Sequence, residues 1–246
     1  MVYISKVYLM ETDSQNAVKK SAIDALSEMS LFQAIKARRS IRFYEDKPVP
    51  REMLEQLIEL ATYAPSNCNI QGWRFIIIDD QELKRQLTDM GASVLINKAP
   101  QGILVLYDHR STNSEYQDWL QSGAAATQNL ILASHALGLG TCWVCHLPPR
   151  RQLRDLLGIP AFFSPVAYIL IGYKKKMPLE IPRKYRSREI IGYNIFPAGA
   201  PVEKVNPIFL SLKRLLIWIY YRIPRSFKKR FLNDYIDRKF VKKFDN

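Results

Sequence analysis

Two hydrophobic periods alternate along this chain. In "PVPREMLEQLIELATYAPS", Leu54, Leu57, Ile58 and Ala61 recur at helical spacing. Pro50 suits a first helical position and Pro65 forces a stop, so a helix is predicted between them. In "SLFQAIKARRS", Leu31, Phe32 and Ile35 stand among polar residues, which reads as the end of an amphipathic helix. "WRFIIID" (73–79), "APQGILVLYD" (99–108), "TCWVCHL" (141–147) and "PVAYILIGY" (165–173) are β-rich runs bounded by turn residues. The stretch 115–140 is long, small and apolar through its middle and closes on Gly138 or Gly140, the mark of a helix; "PRRQLRDLLGI" predicts a shorter one. Helices and strands around a single sheet place the chain in the mixed α and β class.

Composition divides the chain rather than naming its chemistry. At 246 residues and 48% hydrophobic it can bury a large core as one domain with an appendage, or as two small ones. The net charge is +13, yet residues 206–246 carry eleven Lys and Arg against three Asp, a net +8, leaving +5 for the first 205. Three prolines in "NIFPAGAPVEKVNP" mark 194–207 as a linker or crossing segment. The expected organisation is therefore a body at 1–193, with 1–29 as an N-terminal arm or helix, followed by a basic, aromatic-rich helical tail at 208–246. The longest apolar run, 215–221, falls far short of the roughly 20 residues a membrane span needs. The first residues lack a secretory pattern and the three cysteines form no framework, so a cytoplasmic location is expected.

"GTCWVCH" (140–146) has the C-x-x-C-H order of a haem or thiol-redox motif. On a strand, however, Cys142 and Cys145 point to opposite faces and cannot grip one haem, ion or disulfide. They read as two ordinary cysteines, with the alternative that one lies near a bound ligand. The histidines 109, 135 and 146 are scattered, and no zinc spacing, P-loop or nucleophile elbow is present in the sequence. No metal is expected.

Two clusters remain. "ARRSIRFY" sets Arg38, Arg39, Ser40 and Arg42 within five residues, guanidinium forks and a hydroxyl suited to a phosphate monoester, though a solvated basic turn has the same composition. "APSNCNIQGWRF" gathers Ser66, Asn67, Asn69 and Gln71 beside Trp73. Uncharged amides and hydroxyls of this kind suit the edge of a neutral heterocycle, or else form a plain Asn/Ser turn.

Taken in order, "RRSIRFY", "PVPREMLEQLIELATYAPSNCNIQGWRFIII", "GAAATQNLILASHALGLGTCW" and "PVAYILIGY" resemble the FMN-dependent nitroreductase family across about 30–192. The resemblance implies a three-layer α/β/α sandwich of the α+β class, built as an intertwined homodimer with both flavins at the subunit interface. It assigns Arg38, Arg39, Ser40 and Arg42 to the flavin phosphate and ribityl chain. Pro65, Ser66, Asn67, Asn69 and Gln71 go to the isoalloxazine ring, and Gly140, Thr141 and Cys142 to its other side through backbone groups. Arg183 and Lys184 become the late basic pair that closes on the phosphate, with Arg186 an alternative because Tyr185-Arg186 replaces the family's frequent Lys-Pro. The implied chemistry is ping-pong hydride transfer from NAD(P)H through FMN to a small electron-poor acceptor, without a side-chain nucleophile. Nitro compounds, quinones, enones and flavins all qualify, and 107–119 falls where the family covers that acceptor. A flavin-holding sensor or scaffold with little turnover is the alternative.

The tail is a separate matter. "PIFLSLKRLLIWIYYRIP", with the Arg225 that follows it, clusters Ser211, Arg214, Arg222 and Arg225 on one helical face, amid aliphatic and aromatic residues. It suits docking on its own dimer or peripheral contact with an anionic membrane surface; no nucleic-acid partner is expected.

Overall fold

The computed structural model describes residues 29–110, 113, 115–197 and 206–223. The N-terminal arm to residue 28, residues 198–205 of the crossing segment and the tail beyond Ile223, Arg225 included, lie outside the described residues. The chain divides into two units, Met1–Met177 and Pro178–Asn246.

Among the described residues the first unit opens with α1 (Leu31–Ala37), and here one expectation is corrected: this stretch starts a helix instead of ending one. Ser30 Oγ accepts from the Gln33 N–H and the Gln33 side chain accepts from the Ser30 N–H, a reciprocal cap that starts the helix. Its apolar residues do not form a buried face. Only Ala34 is buried, whereas Leu31, Phe32 and Ile35 are exposed. Helix α2 (Arg51–Thr62) buries Leu54, Leu57 and Ala61 as the periodicity requires, with Pro50 as its cap rather than its first residue. Strand β1 (Trp73–Ile78), helix α3 (Gln81–Asp89), β2 (Gln101–Asp108), α4 (Asp118–Ala136), β3 (Leu139–Val144), α5 (Arg150–Leu157) and β4 (Phe163–Tyr173) follow. Gly138, at φ +81°, is the glycine that releases the chain from α4.

The four strands form one antiparallel sheet in the order β1-β2-β4-β3. Ile103, Val105 and Tyr107 of β2 and Ala167, Ile169 and Ile171 of β4 join Leu54, Leu57 and Ala61 of α2 and Ala126, Leu130 and Ile131 of α4 in one core cluster. Leu104, Leu106, Tyr168 and Leu170, on the opposite face, are equally buried. Helices α3 and α5 contribute nothing to the first cluster yet bury Leu87 and Leu153. A sheet buried on both faces is the middle of three layers. Pro165 and Ala167 pair with the adjacent Leu106 and Val105, which leaves Val166 as the extra residue of a β-bulge.

In the second unit the described residues include a short helical turn, α6 (Ser187–Ile190), and α7 (Pro207–Arg222). The Asn206 side chain caps α7 by accepting from the Ile208 N–H at 2.9 Å, and Pro207 takes the first helical position.

Candidate functional site

Residues 40–45 leave α1 and run beside the sheet. Ser40 bridges Thr141 of β3, and the Ile41 N–H donates to the Thr141 carbonyl at 2.8 Å. Beyond β4, Tyr44 pairs with Lys174; the Glu45 N–H donates to Tyr173 and the Lys175 N–H to Phe43, each at 3.0 Å. The close approach requires Gly140, since a β-carbon there would stand 2.9 Å from three atoms of Ile41. Gly140, Thr141 and Cys142 are thus buried beneath the arginine segment, with the Thr141 carbonyl committed to Ile41.

Within the segment Arg42 also donates to the Ser40 carbonyl, at 3.5 Å. Arg38, Arg39, Ser40 and Arg42 are each partly buried. Arg39 donates to the carbonyls of Lys36 (2.6 Å) and Arg38 (2.9 Å), tying it to the end of α1. His135, in the last turn of α4, has its pKa lowered by burial first and then by Lys174, Arg38 and Arg39. Its buried Nε2 has no hydrogen-bond partner among the described residues. Burial pushes the Cys142 thiol up, with Arg42 and Arg38 pulling in the opposite direction. The charges acting on His135 are all cationic, so this end of α4 is a positive concentration that an anion would complement. A phosphate monoester fits the forked donors. Neither His135 nor Lys174 stood out in the sequence, because each is isolated there and only the fold brings it to the arginines.

The amide loop lies at the other end of α4. After α2 stops, Ser66 leads into a 3₁₀ turn, Asn67–Asn69, whose geometry is unusual: Cys68, Asn69 and Gln71 all have left-handed backbone, with φ of 46°, 54° and 51°. Non-glycine residues so placed cost about 1 kcal/mol or more each, and the surroundings must hold them. Ser66 Oγ accepts from the Gln71 N–H at 3.0 Å, and Gln71 Nε2 donates to Asn69 Oδ1 at 2.8 Å. From the first turns of α4, Ser122 Oγ accepts from the Asn67 N–H at 3.1 Å, while the Asp118 carboxylate accepts from the Asn67 side chain and the Asn113 N–H. Asp118 and Ser122 are the holders that the sequence reading missed; their i, i+4 spacing on one helix was the available signal. Pro65, Asn67, Asn69 and Gln71 are exposed and Ser66 half-buried, so the loop offers its amides outward.

The described residues of 107–119 converge on the same end. The Asp108 N–H donates to Gly72, Arg110 holds the Asp108 carboxyl below its ordinary value, and His109 Nδ1 and Ser164 Oγ are 3.1 Å apart. In the second unit, Arg183 and Lys184 are exposed, with Lys184 Nζ 5.1 Å from the centroid of the Tyr185 ring.

The strand expected at 141–147 runs instead over Leu139–Val144, so the two cysteines are not set by alternation along one strand. Cys142 is buried within β3, whereas Cys145 lies beyond the strand and, like Cys68, is exposed; all three are free. Among the described residues no group of His, Cys, Asp and Glu could hold a metal ion. Native protein will therefore couple maleimide at Cys68 and Cys145 and spare Cys142 until it is denatured, as read by peptide mass spectrometry. Rapid labelling of Cys142 would contradict its burial.

The sequence matches the Nitroreductase family over residues 35–110 and 91–173. The chain belongs to the nitroreductase family. It is 30% identical over 172 residues to an FMN reductase [NAD(P)H] of Bacillus subtilis, covering 62% of this chain and 69% of that protein. The FMN-dependent nitroreductase of Clostridium difficile R20291 aligns at a TM-score of 0.57 with 28% identity, over 66% of this chain and 98% of that one. A nitroreductase of Exiguobacterium sibiricum, solved in complex with FMN, shares the fold at a TM-score of 0.61 with 20% identity, over 68% and 99%. The nitroreductase match ends at Tyr173, so the arginine segment and the amide loop both fall inside it while Arg183, Lys184 and α7 fall beyond it.

Proposed function

We propose that this protein is an FMN-dependent oxidoreductase that moves hydride from NAD(P)H to a small electron-poor acceptor, a nitro compound or quinone, by a ping-pong route, and that it works as a homodimer. The observation that supports the reading is the cationic concentration beside the Ser40–Thr141 bridge, with Lys174, Arg38 and Arg39 acting on His135 and Arg42 and Arg38 on Cys142, which would suit a phosphate in a chain of the nitroreductase family.

In this reading Arg38 and Arg42 hold the flavin phosphate by forked, charge-assisted hydrogen bonds, and Ser40 adds a hydroxyl. Bound flavin supplies the hydride chemistry, accepting from the nicotinamide and passing to the acceptor. Asn67, Asn69 and Gln71 orient the ring through uncharged donors and acceptors, with Ser122 and Asp118 fixing their loop.

Distance supports the dimer. Ser122 anchors the amide loop and His135 marks the arginines, thirteen residues and about 20 Å apart along one helix. Two copies facing each other can set the arginines of one beside the amides of the other, and the exposed Leu31, Phe32 and Ile35 give apolar surface for such a contact.

The test begins with the absorbance spectrum of the purified protein. A flavin spectrum is expected, bleached anaerobically by NADH or NADPH and restored by a nitroaromatic or a quinone. Bleaching with neither nicotinamide would favour a flavin-holding sensor or scaffold. A colourless monomer that takes up no FMN would overturn the proposal.

A further inference from the structure

The second unit holds a helix whose composition the flavin chemistry does not use. Helix α7 runs sixteen residues, and every side chain described along it is exposed. At about 100° per residue, Leu215, Ile208, Ile219, Leu212, Leu216 and Phe209 fall in succession across an arc of about 120°. Ile208 is 78% exposed, Phe209 64% and Leu216 57%. Arg222 borders one edge of this arc and Lys213 lies beyond the other, with Arg214 on the far side. The Arg222 guanidinium stacks over the Trp218 ring at 3.6 Å from the centroid. No Asp or Glu occurs between Asn206 and Asn233.

Four occupants could cover such a face, and charge together with apolar area separates them. The 206–246 segment carries +8 and the rest of the chain +5, so neither its own body nor a second copy supplies the net negative charge that would complement the cations of this helix. A nucleic acid has the right sign, but it would engage Lys213, Arg214 and Arg222 while leaving six aliphatic and aromatic side chains in water. A bilayer carrying anionic lipid satisfies both parts at once, with headgroups meeting the cations and the acyl boundary taking the apolar arc. The Trp218–Arg222 pair has the amphipathic character of the headgroup level. At about 24 Å the helix is too short to span the hydrocarbon. Among the described residues no helix is long and apolar enough to cross a membrane.

We infer that α7 is an in-plane membrane helix that seats this protein on bilayers containing anionic lipid. The apolar arc enters the interface while Lys213, Arg214 and Arg222 lie among the headgroups. This conclusion is independent of the flavin reading.

The test is flotation of the full chain with vesicles of phosphatidylcholine alone and of phosphatidylcholine mixed with phosphatidylglycerol in equal parts. Binding to the anionic vesicles is expected to exceed binding to the neutral ones at least tenfold and to weaken with salt. Exchanging Lys213, Arg214 and Arg222 for glutamate should lower it about a hundredfold, at about fivefold for each cation removed and with added repulsion. Leu212→Asp with Leu216→Asp should abolish it, with the thermal melting of the body unchanged in both variants. Absence of flotation, or equal flotation on both vesicles, would overturn the inference. So would retention on DNA without flotation, or a shift of the leucine variant to a smaller sedimenting species while flotation persists.

Discussion

Exchanging Arg38 and Arg42 together for alanine will yield protein that purifies without flavin and binds added FMN two to four orders of magnitude more weakly. Each charge-assisted hydrogen bond to a phosphate contributes about 1.5–3 kcal/mol, so losing even one bond from each of the two arginines removes roughly 3–6 kcal/mol of binding. The fold should survive, because residues 40–45 are held by backbone bonds to Thr141 and Tyr173 and by the Tyr44 hydroxyl on the Ile41 carbonyl. Arg39 is left in place, since its guanidinium donates to two carbonyls at the end of α1; Arg42 also donates to the Ser40 carbonyl, at 3.5 Å, so thermal melting of the variant is measured beside its affinity. Titration with riboflavin separates the causes, because riboflavin has the ring and ribityl chain but no phosphate. Its affinity should barely change. If FMN and riboflavin lose affinity equally, the pair does not act on the phosphate, and the placement of the cofactor along this segment is wrong.

What the sequence revealed and what it hid follow from the same physics. The strands and helices α2 and α4 were legible because their buried positions are apolar at a clean period. Helix α3 was not. Its residues Leu83, Lys84 and Leu87 sit where a buried stripe belongs, but the middle one is a lysine, which broke the pattern. In the folded chain Lys84 is fully buried and donates to the carbonyls of Ala99 (2.7 Å) and Pro100 (2.9 Å), and burial lowers its pKa. A tertiary hydrogen-bond pair replaced the local signal. Helix α1 failed in the opposite sense: its apolar residues promised a buried face, yet nothing among the described residues of this chain covers Leu31, Phe32 and Ile35. The two candidate clusters were legible as residue types. Their supports, Asp118, Ser122, His135 and Lys174, were not, because each acts across a distance in sequence that only the packing of α4 on the sheet closes.

That packing yields the second large effect. Gly123 faces the bulged residue Val166 so closely that a β-carbon would meet its methyl groups at 2.6 and 3.0 Å. Leucine there must drive α4 away from β4, at a cost of about 3 kcal/mol for overpacking, read as a lower urea midpoint. Gly123→Ala should cost less, since roughly 1 kcal/mol of helix propensity is regained. In a Val166→Ala background the Gly123→Leu penalty should fall by at least about 1 kcal/mol, as expected for residues in contact. The consequence reaches the candidate site because Ser122, the neighbour of Gly123, holds the Asn67 N–H, and Asp118 one turn earlier holds its side chain. Displacing the helix start frees a loop kept in three left-handed conformations, so amide exchange at 67–71 should accelerate and flavin binding weaken even where the core stays folded. If Gly123→Leu melts like the parent, or if Val166→Ala gives no relief, α4 is not seated through this contact. The amide loop would then be fixed by something other than the start of that helix.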